Sequence, residues 1–281
     1  MPELPEVETI RRGLEKYIVH KTIKKVTIIC SKSLFLQNDL NQKNTIIGLR
    51  RFGKALVVDC DNDASMIIHL RMTGQLIYRG EENFAGGHPS ENFVEELPNK
   101  QTRVVFEFSD GTKLFFNDQR KFGFVKFVKT EDVEKDEFIK KLAKEPWKMS
   151  GEELHAKLQK KKTTIKAALL DQTVVAGLGN IYVDETLYAC GINPKTCACE
   201  IREKDAKNII NNARAVMDKS IELGGSTIRN YVNADGTRGN YLDKFAKVYG
   251  REGERCEKCG GKIKKIRVAG RGTYFCEECQ K

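Results

Sequence analysis

No stretch of this chain stays apolar long enough to cross a bilayer, so nothing in it is expected to lie in a membrane. The first residues, MPELPEVETIRRGLEKY, are charged throughout and lack the apolar core of a secretory signal. A cytoplasmic address is the expectation. There is no internal repeat and no low-complexity tract. The cysteines do not suggest a secreted, cross-linked scaffold either. Nine are present, and five of them (Cys30, Cys60, Cys190, Cys197 and Cys199) fall into no framework. In a cytosolic chain that favours one metal site plus scattered thiols over disulfides.

What is present is a soluble globular composition. Of 281 residues, 40% are apolar and 31% charged, enough for two modest domains, a small module and a sizeable core. The net charge of +10 suits a polyanionic partner such as nucleic acid, although charge alone also serves solubility. Basic residues crowd the last third, where Lys262, Lys264, Lys265, Arg267 and Arg271 lie between cysteines.

The organisation is α+β. Pro5 is acceptable in a first helical turn, and Val7, Ile10, Leu14 and Ile18 then recur at helical spacing. Strand-like runs follow at Ile23–Ile29, Ala55–Asp59, Met66–Leu70 and Val104–Phe108. Asp110-Gly111 reads as a hairpin turn into Lys113–Phe116. These short strands point to an N-terminal β-sandwich domain with flanking helices over residues 1–130. Residues 80–101 read as a long surface loop. Helical spacing is expected from about Glu131 to Leu223, closed by Gly224-Gly225-Ser226, with a polar loop from Ser226 to Asp243. The helical domain then covers 131–244 and a small module 245–281.

Two places carry chemistry. Cys256-x-x-Cys259 and Cys276-x-x-Cys279, 16 residues apart, can surround one tetrahedral Zn²⁺. Four thiolates leave no open coordination position, so this zinc is structural. Lys262–Val268 and Thr273–Phe275 alternate like strands, with Gly270-Arg271-Gly272 expected at the tip of a zinc-bound β-hairpin. Such ribbons bind DNA, RNA or protein. The second place is the N-terminus. Removal of Met1 would leave Pro2 with a free secondary amine, and an α-amino group titrates near ~7.7–8.0. Such an amine can attack a sugar C1′ to form an iminium ion, and Glu3 and Glu6 are carboxylates nearby for proton transfer. On these residues alone an ordinary helix start is the simpler reading.

The start MPELPEVETIRRGLE resembles the N-terminal signature of the bacterial formamidopyrimidine-DNA glycosylases. The resemblance runs on through His69-Leu70-Arg71-Met72-Thr73-Gly74 and Asn117-Asp118-Gln119-Arg120-Lys121-Phe122-Gly123. It continues in Gly177-Leu178-Gly179-Asn180-Ile181-Tyr182 and Gly224-Gly225-Ser226-Thr227-Ile228-Arg229, and ends in the cysteine hairpin with Gly270-Arg271. It spans essentially the whole chain, in order.

The resemblance implies a base-excision enzyme of the bacterial cytosol, acting as a monomer on damaged double-stranded DNA. It would remove oxidised purines and nick the strand. Pro2 would be the Schiff-base nucleophile, Glu3 the acid that assists ring opening, and Glu6 a supporting carboxylate. Lys54 would be a proton donor near the lesion phosphate, and Arg271 a phosphate grip assisting the second elimination. His69, Asn180 and Lys161 would contact phosphate or backbone. Read alone, Lys160-Lys161-Lys162 is a solvated helix start.

Met72, Arg120 and Phe122 resemble the family's void-filling trio. A flipped nucleotide leaves a gap, which apolar wedges fill, while an arginine reads the orphaned base. Without the family, Met72 and Phe122 would be read as core. Residues 226–243 resemble a lesion-capping loop, with Arg229 where the family has a basic residue. The stretch from Lys161 to Tyr182 resembles a helix–two-turn–helix element.

The chain departs from the family where many members carry His-x-His and it has Gln101-Thr102-Arg103. A DNA contact is expected at Gln101 or Arg103 in their place. Cys197-Ala198-Cys199 has no counterpart; with Cys190 it could form a second metal site, but scattered thiols are the favoured reading. Endonuclease VIII, which prefers oxidised pyrimidines, is the nearest alternative, but Leu4 stands where its start usually has glycine. A non-catalytic zinc-ribbon DNA-binding protein would explain the charge and cysteines but leave Pro2, Glu3, Lys54 and Arg271 without a role.

Overall fold

The computed structural model describes residues 1–36, 44–88, 96–225 and 241–281. It contains two compact units. One is built on Met1–Lys140, to which Gly224 and Gly225 belong. The other is built on Lys141–Leu223 and the chain from Tyr241 onward.

The first unit opens with helix α1, Leu4–Ile18. A capping box starts it: Glu6 accepts the Glu3 N–H at 2.7 Å, and the Glu3 carboxylate accepts the backbone N–H of Glu6. Val7, Ile10, Leu14 and Ile18 are all buried, as their spacing predicts. Ten strands follow: β1 (Thr22–Ile28), β2 (Leu34–Leu36), β3 (Asn44–Phe52), β4 (Ala55–Cys60), β5 (Ala64–His69), β6 (Gly74–Arg79), β7 (Asn83–Gly87), β8 (Thr102–Phe108), β9 (Lys113–Asp118) and β10 (Phe124–Lys129).

Their order is β2-β10-β5-β4-β3-β1-β8-β9-β6-β7, antiparallel except for β2 with β10. Only Thr22↔Thr45 and Ile23↔Asn44 join β1 to β3, so two five-stranded sheets meet there. Alternation does the rest. Leu56, Val58, Met66 and Ile68 of one sheet share a core with Val104, Phe106, Leu114 and Phe116 of the other and with α1. Each such buried side chain contributes roughly 1.5–3 kcal/mol. The expected sandwich is thus present, and Asp110-Gly111 forms its hairpin turn with Gly111 at φ 88°.

Three expectations need correction. The stretch 80–101 is not all loop: Asn83–Gly87 pairs with β6 as strand β7. Its Phe84 is buried against α1, where a Cβ on Gly13 would sit 2.3 Å from the ring. Residues 89–95 lie outside the described residues. Next, no α-helix begins near Glu131; Thr130–Asp132 and Pro146–Lys148 are single 3₁₀ turns. Asp136 is the physical reason. Its carboxylate accepts the N–H groups of Phe138 (2.9 Å) and Ile139 (3.4 Å), as a cap at the start of a turn does, and the Lys126 ammonium (2.5 Å), so a helix entering from Glu131 is broken there. Finally, the capping-loop reading of 226–243 lies outside the described residues up to 240, while Tyr241 already begins a short helix.

The second unit holds α2 (Gly151–Leu158), α3 (Ile165–Leu170), α4 (Asn180–Cys190), α5 (Glu203–Glu222) and α6 (Tyr241–Lys244). Ser150 and Glu153 form a capping box on α2, and Thr164 caps α3 by accepting the Ala167 N–H. Leu154, Leu158, Ile165, Leu169, Tyr182, Leu187, Ile209 and Met217 form its interior. Strands β11 (Ile263–Val268) and β12 (Arg271–Cys276) make the hairpin. Among the described residues, no helix is long and apolar enough to cross a membrane.

Candidate active site and nucleic-acid interface

In the first unit, the capping box that starts α1 also fixes the residues around Pro2. Pro2 and Glu3 are buried, Glu3 only 4% exposed, while Met1 is 42% exposed. Glu6 stands beside Gly225, where a Cβ would lie 3.3 Å from Glu6 Oε1. Lys54 occupies the two-residue turn Gly53–Lys54 between β3 and β4. Gly53 supplies the positive φ (55°) such turns demand. Arg51 holds that turn through the Gly53 carbonyl (2.9 Å) and reaches Glu8 of α1 (3.1 Å). Burial pushes the Glu8 carboxyl up, but hydrogen bonds from Arg11 and Arg12 outweigh it and hold Glu8 at about 2.

Lys54 and His69 come together, since Ala55 and His69 are cross-strand partners. Burial, then the positive charges of Arg71 and Lys54, pushes His69 down to about 3. Its Nδ1 accepts the Arg71 N–H (3.0 Å), so the neutral ring carries its proton on Nε2. Phe124 stacks on the ring and Phe138 meets it edge-on. His88, which carries no motif in the sequence, lies close enough to the N-terminus to be pushed down first by burial and then by that positive charge.

Met72, Arg120 and Phe122 also converge. Met72 is 36% and Phe122 57% exposed, so neither is a core residue. The Arg120 guanidinium lies 5.0 Å from the Phe122 ring centroid. Arg71 and Lys121, each preceding a projecting side chain, have left-handed backbone, φ 50° and 58°.

At the departure from the family pattern, Arg103 proves to be internal. It is buried, with Nε donating to the Asp118 carbonyl (2.7 Å) and a terminal nitrogen donating to the Lys100 carbonyl (3.1 Å). The expectation of a DNA contact at Arg103 is therefore corrected. Gln101 is half-buried; its N–H donates to Asn99 Oδ1 (2.9 Å) and its carbonyl accepts the Asp118 N–H (2.9 Å). Arg229 lies outside the described residues.

In the second unit, Lys161 lies in the turn between α2 and α3, not at a helix start. It pairs with Asp171 at 2.9 Å. Gln172 braces the glycine-rich turn before α4: its amide donates to the carbonyls of Leu170 and Leu178, and its oxygen accepts the Gly177 N–H. Asn180 opens α4 and donates to the Gly272 carbonyl at 2.9 Å, so the structure brings it to the hairpin residue next to Arg271.

A pair with no sequence motif reinforces that join. Lys166 and Asp184, both 0% exposed at the side chain, form an ion pair at 2.6 Å. Lys166 also donates to the Gly272 carbonyl (3.2 Å), and Asp184 accepts the Tyr274 N–H (2.9 Å). Burial pushes the Asp184 carboxyl up, while Lys166 and Tyr274 pull it the other way. The available signal was a lysine and an acid inside otherwise apolar helices, since buried charges are paired.

The hairpin tip also needs adjustment. The turn is Ala269-Gly270, with φ 49° and 75°, and Arg271 begins β12 opposite Val268. Right-handed strand twist favours this primed turn over the three-residue tip expected. At its other end, the sulfurs of Cys256, Cys259, Cys276 and Cys279 all lie within 4.8 Å of one another. Cys256–Cys279 is 3.7 Å and Cys259–Cys276 3.5 Å. A tetrahedron of Zn–S bonds of ~2.3 Å has edges of about 3.8 Å, so the four thiols fit a structural zinc. Among the described residues no second such group forms, and Cys190, Cys197 and Cys199 do not converge.

A sandwich with a charged N-terminal niche, a helix–two-turn–helix unit and a four-cysteine hairpin define the class of bifunctional DNA glycosylases that also cleave abasic sites. Comparison with known proteins narrows this further. Residues 1–125 match the formamidopyrimidine-DNA glycosylase N-terminal domain, residues 142–232 the H2TH domain of the same enzymes, and residues 253–281 the zinc finger found in FPG and IleRS. The formamidopyrimidine-DNA glycosylase of Ligilactobacillus salivarius is 41% identical, over 100% of this chain and 99% of its own. That of Rickettsia conorii is 37% identical, over 100% and 99%. The Lactococcus lactis enzyme bound non-covalently to abasic-site DNA superposes with a TM-score of 0.85 at 33% identity, covering both chains fully. A variant of it in complex with Fapy-dG DNA gives 0.87 at 35%, again over both whole chains. The chain belongs to the formamidopyrimidine-DNA glycosylase family.

Proposed function

We propose that this enzyme removes oxidised purines, 8-oxoguanine and formamidopyrimidines, from double-stranded DNA and then cuts the abasic site by β,δ-elimination from Pro2. The observation that carries this reading is the start of α1, where Glu3 and Glu6 hydrogen-bond reciprocally beside a buried Pro2. The Fapy-dG DNA bound by the Lactococcus lactis relative supports the substrate class.

With Met1 in place, Pro2 carries an amide nitrogen. Once Met1 is removed, the nitrogen is a secondary amine. It attacks C1′ as the C1′–base bond breaks and the base leaves with a proton. Glu3 protonates the ring oxygen, the ring opens, and an iminium ion results. The iminium acidifies C2′. Loss of that proton expels the 3′ phosphate, and a second elimination expels the 5′ phosphate. Lys54 serves the lesion phosphate and proton donation, and Arg271 grips phosphate during the second elimination. Glu6 keeps Glu3 in place.

His69, Lys161 and Asn180 contact the DNA backbone, while Gln101 and Arg229 line its path. Met72 and Phe122 fill the gap left by the flipped nucleotide, and Arg120 reads the orphaned cytosine. Zn²⁺ on the four cysteines supplies rigidity to the hairpin that presents Arg271. Catalysis is assigned to residues 1–130, DNA grip to 131–244 and the zinc hairpin to 245–281, acting as a monomer in the cytoplasm. The test is borohydride trapping on 8-oxoguanine:cytosine duplexes beside duplexes with an oxidised pyrimidine. A covalent complex favouring the purine is expected. Preference for the pyrimidine would favour an endonuclease VIII-like specificity, and no complex would refute the lyase.

A further inference from the structure

Asp118 is completely buried at the end of β9, and among the described residues its carboxylate forms no salt bridge. Among the described residues, the hydrogen bonds its carboxylate accepts come from the two loops that carry the projecting side chains. The Thr73 hydroxyl, one residue past Met72, donates to Oδ1. The Arg120 N–H donates to the Thr73 hydroxyl oxygen at 3.0 Å and to Oδ1 at 3.2 Å. The Gly123 N–H, one residue past Phe122, donates to Oδ2 at 2.7 Å. Arg103, which stands where the family carries histidine, holds the Asp118 carbonyl at 2.7 Å. Gly123 must be glycine here, because a Cβ would sit 2.9 Å from the His69 carbonyl and 3.1 Å from Asp118 Oδ2.

We propose that Asp118, with Thr73 as its bridge, is a positioning residue that locks the Met72 loop and the Arg120–Phe122 loop into one rigid wedge. This rests on the void-filling reading above. The chemistry favours a carboxylate over any other side chain. Both oxygens accept, and the donors arrive from both loops at once. An asparagine would turn its NH₂ toward either the Gly123 N–H or the Arg120 N–H, setting donor against donor whichever way it flipped. Satisfied buried networks of this kind fix one geometry. A fixed wedge enters the duplex without first having to order two loops, and that ordering would otherwise be taken from the binding energy. Asp118 touches no reacting atom, so its effect is confined to DNA in which a void must be filled.

That confinement gives the test. Rates of covalent trapping are compared on an abasic site opposite cytosine in duplex DNA and on the same site in single-stranded DNA, where no partner base is orphaned. For Asp118→Asn the duplex-to-single-strand rate ratio should fall by roughly tenfold, and for Thr73→Val by roughly threefold. The preference for cytosine over adenine opposite the site should shrink alongside, as Arg120 loses its anchor. Thr73→Val keeps the test decisive should Asp118→Asn fold poorly. An unchanged ratio in Thr73→Val, or in a folded Asp118→Asn, would overturn the inference, even if both rates fell together. A parent enzyme that traps on neither DNA would overturn the lyase reading and this one with it.

Discussion

Phe122→Ala separates a wedge from a core residue. A phenyl side chain presents ~200 Å², and at 57% exposure Phe122 leaves over half of its area in water. Covering that part inside a base stack, at ~25 cal/mol per Å², contributes about 3 kcal/mol. Loss of the ring should therefore weaken binding about a hundredfold. The same exposure means folding gains little from the ring, so stability should change by less than about 0.5 kcal/mol. The Arg120 cation–π contact, 5.0 Å from the centroid, is lost as well but lies in water. The assay pairs thermal unfolding with fluorescence anisotropy on a duplex carrying a stable abasic analogue opposite cytosine. A large fall in Tm with unchanged Kd would refute the reasoning, because it would mean the ring packs inside the fold and stays out of the DNA.

Other outcomes follow from the same structure. His69 titrates at about 3 in the fold against 6.5 ordinarily, so the unfolded chain takes up the proton first as pH falls. Its contribution is intact above pH 6.5 and is lost at about 1.4 kcal/mol per pH unit down toward 3; in His69→Gln, the Tm-versus-pH slope between 4 and 6.5 should flatten. Lys166→Met strands Asp184 in the interior and should cost about 3–5 kcal/mol. Chemical denaturation measures this, and Lys166→Met with Asp184→Leu should recover most of it while abasic-DNA affinity stays low, because Gly272 keeps only its Asn180 donor and the Tyr274 N–H has lost its acceptor. Zinc removal by chelation should leave the far-ultraviolet spectrum largely intact and reduce DNA affinity, restored on adding Zn²⁺; undiminished affinity of the stripped protein would place the hairpin outside the interface.

Much of this architecture is written locally in the chain. The stripe Val7, Ile10, Leu14 and Ile18 has the helical period, and the alternation in β4, β5 and β8 places side chains on two faces whatever the partners are. The four cysteines define their hairpin because a metal tetrahedron permits little else. What escaped depends on distant neighbours. Asn83–Gly87 has two glycines and reads as loop; it is a strand because β6 pairs with it and Gly13 admits Phe84. Glu131–Ser150 has helix-compatible residues, but Asp136 caps a turn of its own and so interrupts a helix entering from Glu131.

The site divides in the same way. The roles proposed for Pro2, Glu3, Lys54 and Arg271 rest on the resemblance, because a proline, an acid or a lysine alone has ordinary explanations. Met72 and Phe122 look like core by type and prove exposed. Arg103 looks like a DNA contact by its place where many family members carry His-x-His, and proves buried. Lys166 and Asp184 lie outside the quoted motifs, and Asp118 lies inside one without a role read for it. They hold other residues in place, and that role is visible only when their partners are.

The central claim is that the nucleophile is the amine of Pro2 on a chain that has lost Met1. Borohydride reduction during turnover of an 8-oxoguanine:cytosine duplex, followed by proteolysis and mass spectrometry, locates the bond directly. The account predicts an N-terminal peptide beginning at Pro2 that carries the reduced sugar remnant on that residue. A remnant on Lys54 or another lysine, or an adduct-forming protein whose N-terminal peptide still begins with Met1, would contradict it.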